Sequence, residues 1–437
     1  MAHLKEIGVA VLGFGTVGAG VVETLQQNGE LLTERLGLRL VLRGVADVDL
    51  DTDRGVAVDR ALLTTDAPAL IERDDVDVVV ELIGGSGVAR DFILQALKRG
   101  KPVVTANKKL LAEHGEELHR VAAEHQTELL FEAAVGGGIP IIKALREGLM
   151  ANRIESIYGI LNGTCNYILT RMEDEGLPFD EVLAAAQAAG YAEAEPSLDI
   201  DGYDTAHKAA VLASLAYGCI VPLEQVQITG IRGVAAADIS CAARMGYRIK
   251  LLAIIQGGAA GVEVSVQPTL VAHNHQLAAV GGVYNAVLVH GDVVGTTLYY
   301  GRGAGRAATA SAVVADLADV ALNLRVGGRR WDLSGVRTKA PVVFRDPGEI
   351  VARHYVRFSM RDQAGMLAKV AAVLGSHGIG IDSVMQQEAA ADAQYVPVIF
   401  VTAPARDTDL AAALRTISEQ ADVTDRAPVR YRIEDSE

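Results

Sequence analysis

The sequence predicts an α/β chain in three parts: a doubly wound parallel sheet, a mixed α+β region with an open sheet, and a C-terminal ferredoxin-like βαββαβ unit. Three observations carry this reading. Up to about residue 140, apolar runs of strand length are each followed by a helical stretch. Beyond that point helices come first, and then strands with no helix between them. The last eighty or so residues run strand, helix, strand, strand, helix, strand. Continuous apolar strands belong to a parallel sheet because helices cover both of its faces.

The elements follow in order. IGVAVLG is a buried strand, and the glycine turn after it opens a helix. LRLVLRGVAD is a second strand and VDVVVELIGG a third, followed by the helix ARDFILQALKRG. KPVVTANK is a fourth strand, LLAEHGEELHRVAAEHQ a helix and TELLFEAAV a further strand. In the middle region FDEVLAAAQAAG and DTAHKAAVLASLAYG have helical spacing, whereas VEVSVQPTLV, VYNAVLVHGDVV and TTLYYG read as strands. The helix SAVVADLADVALNL follows the turn GRGAGRAAT, and GGRRWDLSG and TKAPVVFRDPGE read as connecting structure. In the last unit HYVRFSM, IGIDSVMQQE, YVPVIFVTA and VTDRAPVRYRIE are strands, and AGMLAKVAAVLGSHG and TDLAAALRTISEQ are helices. The expected boundaries are 1–140, 141–345 and 353–433, with a late segment at about 305–340 as a candidate to return to the first part.

Composition narrows the function. Of 437 residues, 50% are hydrophobic and 22% charged, so the chain can bury a substantial core. The net charge of -15 argues against phosphate backbones and anionic membranes as partners. Cys165, Cys219 and Cys241 are too few and too scattered for a disulfide framework or a zinc site. The opening MAHLKEIGVAVLGFG lacks the layout of a signal peptide, and the longest uncharged apolar run, Ala209 to Leu223, contains Gly218 and Pro222 and is short for a membrane span. A soluble cytoplasmic protein is expected.

GFGTVG places Gly13, Gly15 and Gly18 in GxGxxG spacing between a strand and a helix, with Thr16 and Val17 opening the helix. In a Rossmann-type fold the first glycine allows the turn, the second lets backbone approach a pyrophosphate, and the third lets helix and strand pack closely. The helix start adds N–H groups and a positive dipole end. Alone the motif is weak, since a turn can be glycine-rich for other reasons; its strand–helix context is what gives it weight. Asp47 ends the second strand, where an acid holds the ribose hydroxyls of NAD and repels the extra phosphate of NADP. Arg43 and Arg54 could soften that repulsion, so NAD is favoured and NADP stays open. Lys108 follows the strand end VVTAN, outside the carboxyl ends of the strands where ligands bind in open α/β sheets; Lys109 reads as a solvated neighbour.

GFGTVG, GKPVVTANK, FEAAVGGGIP, GILNGTCNYIL and GYAEAEPSLDIDGYDTAHK occur in this order and at spacings that resemble the homoserine dehydrogenase family, over about residues 6 to 345. The resemblance implies reversible reduction of L-aspartate 4-semialdehyde to L-homoserine with NADH or NADPH, on the route to threonine and methionine. It implies that Lys208 is the proton donor, that Asp204 and Asp199 are active-site acids, and that Glu193 is a substrate-binding carboxylate. It implies that Lys108 faces cofactor and substrate, that Asn162, Gly163 and Thr164 lie beside the substrate, and that Gly303 belongs to a turn near the cofactor. FEAAVGGGIP resembles a sodium-binding segment, with Glu132, Val135, Gly137 and Ile139 contributing largely through backbone carbonyls. The sequence departs from the family at Cys165, commonly Thr, and at Arg302, often Pro; the second departure bears on Gly303.

The chemistry asks for such a set. Hydride transfer to an aldehyde carbon builds negative charge on its oxygen, and a lysine ammonium can both stabilise that charge and deliver a proton. Asp204 and Lys208 are spaced i,i+4 on one helix face, and the competing reading is an exposed ion pair. Asp201 reads as a turn residue, and His207 as structural. The histidines of HNH, His273 and His275, have no second cluster to make a metal site. Cys165 as a nucleophile would suit an acylating aldehyde dehydrogenase, but no partnered histidine motif supports it. Two other classes compete: another NAD-linked amino- or hydroxy-acid oxidoreductase, and a non-catalytic amino-acid sensor.

RDQAGMLAKVAAVLGSHGIGIDSV resembles the ACT signature, with Asp362, Gly365 and Leu367 at the strand–helix turn and Ala364 where the family often has proline. ACT domains usually pair and bind an amino acid near this loop, so feedback inhibition by threonine is hypothesised, with an altered effector or a purely dimerising module as alternatives, and a homodimer or homotetramer is expected.

Overall fold

In the computed structural model the described residues are 4–327, 342–386 and 393–435. Most of GGRRWDLSG, the start of TKAPVVFRDPGE and the end of IGIDSVMQQE lie outside them. The rest forms two compact units. The first takes the chain up to Gly163, then Asp204–Val226, then Val283 to the end of the helix Arg306–Val326; the second takes Thr164–Tyr203, Gln227–Gly282 and the chain from Val343.

The first unit holds six parallel strands: β1 (Glu6–Leu12), β2 (Arg39–Ala46), β3 (Leu63–Thr64), β4 (Val78–Glu81), β5 (Val103–Thr105) and β6 (Leu129–Leu130). Their order is β3-β2-β1-β4-β5-β6, so the winding reverses between β1 and β4, where this architecture opens a ligand crevice. The expected doubly wound sheet is therefore present. Val9, Val11, Val78, Val80 and Val104 are fully buried in its core.

The helix Thr16–Gln27 packs on the late helix Arg306–Val326. A Cβ at Gly20 would lie 2.8 Å from the Arg306 carbonyl oxygen, so glycine there lets the two helices approach. Arg306–Val326 has the length and hydropathy of a membrane span, and its apolar side chains, Val313, Leu317 and Val320 among them, are spent in this core. The unit also contains an antiparallel ribbon of Ile154–Ile160, Tyr284–Gly291 and Gly295–Arg302.

In the second unit the strands Val351–Arg361, Ile381–Gln386, Tyr395–Thr402 and Val429–Glu434 pair antiparallel in the spatial order fourth, first, third, second. The helices Met366–Ser376 and Asp407–Ser418 complete the expected βαββαβ fold over a core of Phe358, Val370, Val398, Phe400 and Leu410. This sheet does not end at its fourth strand. Val429–Glu434 also pairs in parallel with Gly261–Ala272, which forms a hairpin with Tyr247–Gly258. Pairing removes an edge that would otherwise expose a row of backbone donors and acceptors.

One carboxylate ties this unit together. Asp238, on the helix Ala236–Arg244, is fully buried and accepts from Tyr355 Oη at 2.8 Å, Arg357 Nη2 at 3.0 Å and Tyr431 Oη at 3.3 Å, as well as from Arg357 Nε. Burial, followed by the nearby Asp238 charge, pushes both tyrosine hydroxyls far above their ordinary range, so they act purely as donors. Asp238→Ala should strand the Arg357 guanidinium and cost about 3–5 kcal/mol, read as a lower urea midpoint.

Candidate active site

The carboxyl edge of the parallel sheet collects the expected side chains. At Gly13 φ is +97°, and a Cβ would press on the Leu82 carbonyl group at 2.7 Å, just past the end of β4. A Cβ at Gly18 would meet the Gly13 oxygen at 2.0 Å, whereas one at Gly15 would meet nothing within 4 Å. The first and third glycines are thus required by the protein itself, and the second leaves its approach open. The helix that starts at Thr16 has no acidic residue in its first turn and no side-chain cap. Its first N–H groups remain available to an anion, so these residues fit a dinucleotide pyrophosphate.

Asp47 stands at the end of β2. One of its oxygens accepts the Phe14 N–H inside the glycine turn, and the other accepts the Asp49 N–H at 2.9 Å. A carboxylate has about four acceptor positions, so capacity for hydroxyl donors remains. The two arginines separate here. Arg54 pairs with Asp49 at 3.0 Å, close to Asp47 in the chain. Arg43 pairs with Glu6 at 2.9 Å, and Glu6 begins β1 at the opposite edge of the sheet. Four extended residues, roughly 13 Å, separate Arg43 from Asp47, so Arg43 cannot soften repulsion there.

The helix Tyr203–Tyr217 brings Asp204 and Lys208 onto one face, and the face is buried. Lys208 Nζ donates to Asp204 Oδ2 at 2.7 Å and to the Leu161 carbonyl at 2.7 Å. Asn162 Nδ2 donates to Asp204 Oδ2 at 2.8 Å, and Lys108 Nζ lies 3.1 Å from Asp204 Oδ1. Asp204 and Lys208 are only 4% and 8% exposed, which removes the reading of a surface ion pair. Desolvation pushes the Asp204 carboxyl up, but the ammonium groups of Lys208 and Lys108 and the bonds from Lys208 and Asn162 outweigh it. They hold the carboxyl well below the ordinary carboxylate range. Lys108 opens its helix directly after β5, two strands or roughly 10 Å from the glycine turn at the end of β1. His207, on the same helix, is buried, and burial lowers its pKa.

The remaining expected residues have their own local contacts. Gly163 lies under the Val283 carbonyl, where a Cβ would come within 2.8 Å. Thr164, Glu193 and Asp199 belong to the second unit. There Thr164 Oγ1 donates to the Tyr191 carbonyl at 2.7 Å, Cys165 Sγ donates to the Asp199 carbonyl at 3.2 Å, and Glu193 is exposed. Cys165 is fully buried, and Asp201 pairs with Arg232. His275 accepts the Leu277 N–H at 3.1 Å, and among the described residues no cluster of His, Cys, Asp and Glu could hold a metal ion.

The segment around Glu132 folds onto the GRGAG turn: a Cβ at Gly137 would lie 2.5 Å from the Gly303 oxygen, and Gly138 N donates to the Arg302 carbonyl at 3.1 Å. Glu132 accepts the N–H groups of Ile142 and Lys143 at 2.9 and 2.8 Å, and the Ile139 carbonyl accepts the Ile141 N–H at 2.8 Å. The Glu132 carboxylate is thus engaged, and a cation in this loop would rest on carbonyl oxygens, each with a second lone pair. Gly303 belongs to this packed turn, where a Cβ would lie 1.9 Å from Asn285 Nδ2.

Sequence reading missed one network. Glu81, fully buried at the end of β4, accepts from Ile83 N at 2.8 Å, Gly84 N at 3.2 Å and Thr105 Oγ1 at 2.7 Å. Thr105 Oγ1 accepts the Asn107 N–H at 3.0 Å, and Asn107 caps the Lys108 helix through Leu110 N at 3.1 Å while holding the Gly85 carbonyl at 2.7 Å. Glu81 fixes the loop after β4 and, through Asn107, the start of the helix that carries Lys108. Its signal was an acid closing a fully apolar strand.

Comparison with known proteins agrees with this geometry. A family model described as homoserine dehydrogenase matches residues 140–318, one described as homoserine dehydrogenase, NAD binding domain, matches 13–132, and one for the ACT domain matches 354–419. A homoserine dehydrogenase of Neisseria gonorrhoeae is 40% identical over 99% of both chains, and one of Bacillus subtilis is 38% identical over 99% of both. The crystal structure of a homoserine dehydrogenase from Thiobacillus denitrificans superposes with a TM-score of 0.93 at 41% identity, covering 99% of each chain. A hyperthermophilic archaeal homoserine dehydrogenase in complex with NADPH matches 72% of this chain and 98% of its own, with a TM-score of 0.63 and 29% identity.

The depressed Asp204 pKa has a consequence for stability. Its contribution is complete above the unfolded carboxyl pKa of about 4 and is lost as pH falls through the lower folded value. Asp204→Asn should cost about 3 kcal/mol at neutral pH in guanidinium titrations and flatten the loss of stability below pH about 4.

Proposed function

We infer the mechanism from one premise: the chain belongs to the homoserine dehydrogenase family. Its activity is that of an NAD(P)-dependent oxidoreductase, and it carries an ACT domain. The finer reading is reversible interconversion of L-homoserine and L-aspartate 4-semialdehyde, with Lys208 exchanging a proton with the substrate oxygen.

The observation that carries this reading is the orientation of one ammonium. Lys208 has three N–H bonds, and Asp204 and the Leu161 carbonyl hold two of them at 2.7 Å. The third is left for a substrate oxygen. The coenzyme, when bound, supplies or accepts the hydride. As the aldehyde carbon gains it, the oxygen becomes negative and takes the proton from Lys208 Nζ; in the reverse direction Lys208 receives that proton. Two ammonium groups share the single Asp204 carboxylate, so the cluster keeps a surplus positive charge that favours a developing oxyanion. Asp204 orients Lys208 and Lys108, and Asn162 orients Asp204. For the substrate ammonium the motif supplies Glu193 and Asp199.

Asp47 supports NAD, and the archaeal relative bound to NADPH keeps NADP in view. A sodium ion is assigned by resemblance to carbonyls of Glu132, Val135, Gly137 and Ile139. Threonine is proposed to act at the ACT turn, where Gly365 has φ +90°, Asp362 is exposed and Leu367 is 43% exposed at the start of the helix Met366–Ser376. Self-association is proposed through the ribbon edge Gly295–Arg302, which exposes Leu298 and Tyr300.

Lys208→Ala should lower turnover of homoserine by about 10²–10⁴-fold, read from nicotinamide absorbance, with coenzyme binding by fluorescence titration unchanged. Coenzyme binding lost together with turnover would count against the assignment. Asp47→Ser should move the kcat/KM ratio about tenfold toward NADP, the effect of removing roughly 1.4 kcal/mol of charge repulsion. Initial rates that ignore millimolar threonine would reject the feedback reading.

A further inference from the structure

A closed circuit of hydrogen bonds joins two strand ends at the carboxyl edge of the parallel sheet, and no step of the mechanism above uses it. Glu81 closes β4 and Thr105 closes β5, and both are fully buried. One Glu81 oxygen accepts the N–H groups of Ile83 at 2.8 Å and Gly84 at 3.2 Å. The other accepts the Thr105 hydroxyl at 2.7 Å. Thr105 Oγ1 in turn accepts the Asn107 N–H at 3.0 Å, and the Asn107 amide donates to the Gly85 carbonyl at 2.7 Å. Gly84 and Gly85 take φ of +81° and +71°, a left-handed turn that presents the loop to both partners. The circuit thus returns to the loop in which it started, and Lys108 is the next residue along the chain after Asn107.

The two arms of this circuit end at different parts of the site. The loop after β4 lies against the glycine turn: Leu82 N donates to the Leu12 carbonyl at 2.7 Å, and a Cβ at Gly13 would come within 2.7 Å of the Leu82 carbonyl. The other arm ends where Asn107 caps the helix of Lys108 through Leu110 N, and the Lys108 ammonium lies 3.1 Å from Asp204. A lysine is a point charge on a flexible stem, so the reach of its ammonium depends on where its backbone is anchored. The Thr105 hydroxyl is the joint of that anchor, because it donates to Glu81 and accepts from Asn107 at once. We propose that Glu81 and Thr105 are positioning residues that act through Lys108, holding the second ammonium of the Lys208 cluster in a fixed place relative to the glycine turn. The inference rests on the roles of Lys208 and Lys108 given above.

The test is a double-mutant cycle in the full chain, read as kcat for homoserine oxidation and as coenzyme binding by fluorescence titration. Thr105→Val removes the hydroxyl at nearly constant volume, and Thr105→Ser keeps it; each is made alone and together with Lys108→Met. Glu81→Gln opens the same joint by a second route: it keeps an acceptor for Ile83 and Gly84 but turns an amide hydrogen toward Thr105, whose hydroxyl needs an acceptor. Coenzyme binding shows that each variant is folded. Thr105→Val should lower kcat about tenfold with coenzyme binding unchanged, since misplacing a working group by roughly 1 Å can cost about a hundredfold. Thr105→Ser should stay within about twofold of the unaltered protein, and Thr105→Val added to Lys108→Met should cost less than about twofold more, because residues that act through one group do not add. Glu81→Gln should show the same non-additivity. A loss that persists undiminished in the Lys108→Met background would mean general loosening and overturns the proposal. Full turnover in Thr105→Val overturns it too, as does full turnover in Glu81→Gln if Thr105→Val fails to bind coenzyme. Full turnover in Lys108→Met overturns the role of Lys108 and this inference together, whereas full turnover in Thr105→Val beside an impaired Lys108→Met overturns this inference alone.

Discussion

The buried carboxylate of Asp204 is the constraint on which the candidate site rests. An ionised group this deep survives only with partners that replace its hydration, and here they are the ammonium groups of Lys208 and Lys108 and the amide of Asn162. The arrangement works in both directions. Without the cations the carboxyl would be driven toward its neutral form by desolvation, and without the carboxylate the buried Lys208 ammonium would lose its charged partner beside a second, part-exposed lysine. Helical i,i+4 spacing brings Asp204 and Lys208 together, but the third partner comes from the start of the helix after β5 and the fourth from the end of the ribbon strand Ile154–Ile160. Three distant stretches of chain must therefore be correctly placed before the cluster exists.

The parallel sheet places one of the three, Lys108, together with the glycine turn. Its carboxyl edge carries the glycine turn, Asp47, the loop after β4 and Lys108 side by side because parallel strands deliver every outgoing loop to the same edge. Backbone alone does not hold those loops. Asp47 grips the glycine turn through Phe14 N, and Glu81 grips the loop after β4 and reaches, by way of Thr105 and Asn107, the turn before Lys108. A buried acid such as Glu81 is costly unless both oxygens are used, and here each accepts a hydrogen bond, as do both oxygens of the half-buried Asp47. The same rule governs the second unit, where Asp238 gathers an arginine and two tyrosines and so joins the helix Ala236–Arg244 to the βαββαβ sheet.

Much of this could be read from residue order. Alternating apolar runs and helices gave the doubly wound sheet, because burial on both faces leaves strands uninterrupted by polar residues. The glycine spacing carried its own structural meaning, since Gly13 and Gly18 are sites where a Cβ has no room. Several elements were invisible. The helices Gly29–Leu36 and Ala236–Arg244 are short, and the strand Ile154–Ile160 mixes polar and apolar residues, so neither periodicity stands out; Tyr247–Gly258 did carry a signal, its buried apolar run Leu251–Ile255. Arg43 looked like a neighbour of Asp47 in sequence, yet an extended strand carries the two apart.

What the sequence by itself determined is local and chemical: which residue types occur, at what spacing, and which turns only glycine can make. These follow from helical and strand periods and from steric exclusion, which act over a few residues. What only the tertiary structure decided is solvation. Whether Asp204–Lys208 is a wet surface pair or a dry cluster, whether Glu81 is a stray acid or a clamp, and whether Arg432 meets water or Glu263 all depend on what distant chain segments cover. The energy of a charge depends on its surroundings in three dimensions, and no window of neighbouring residues contains them.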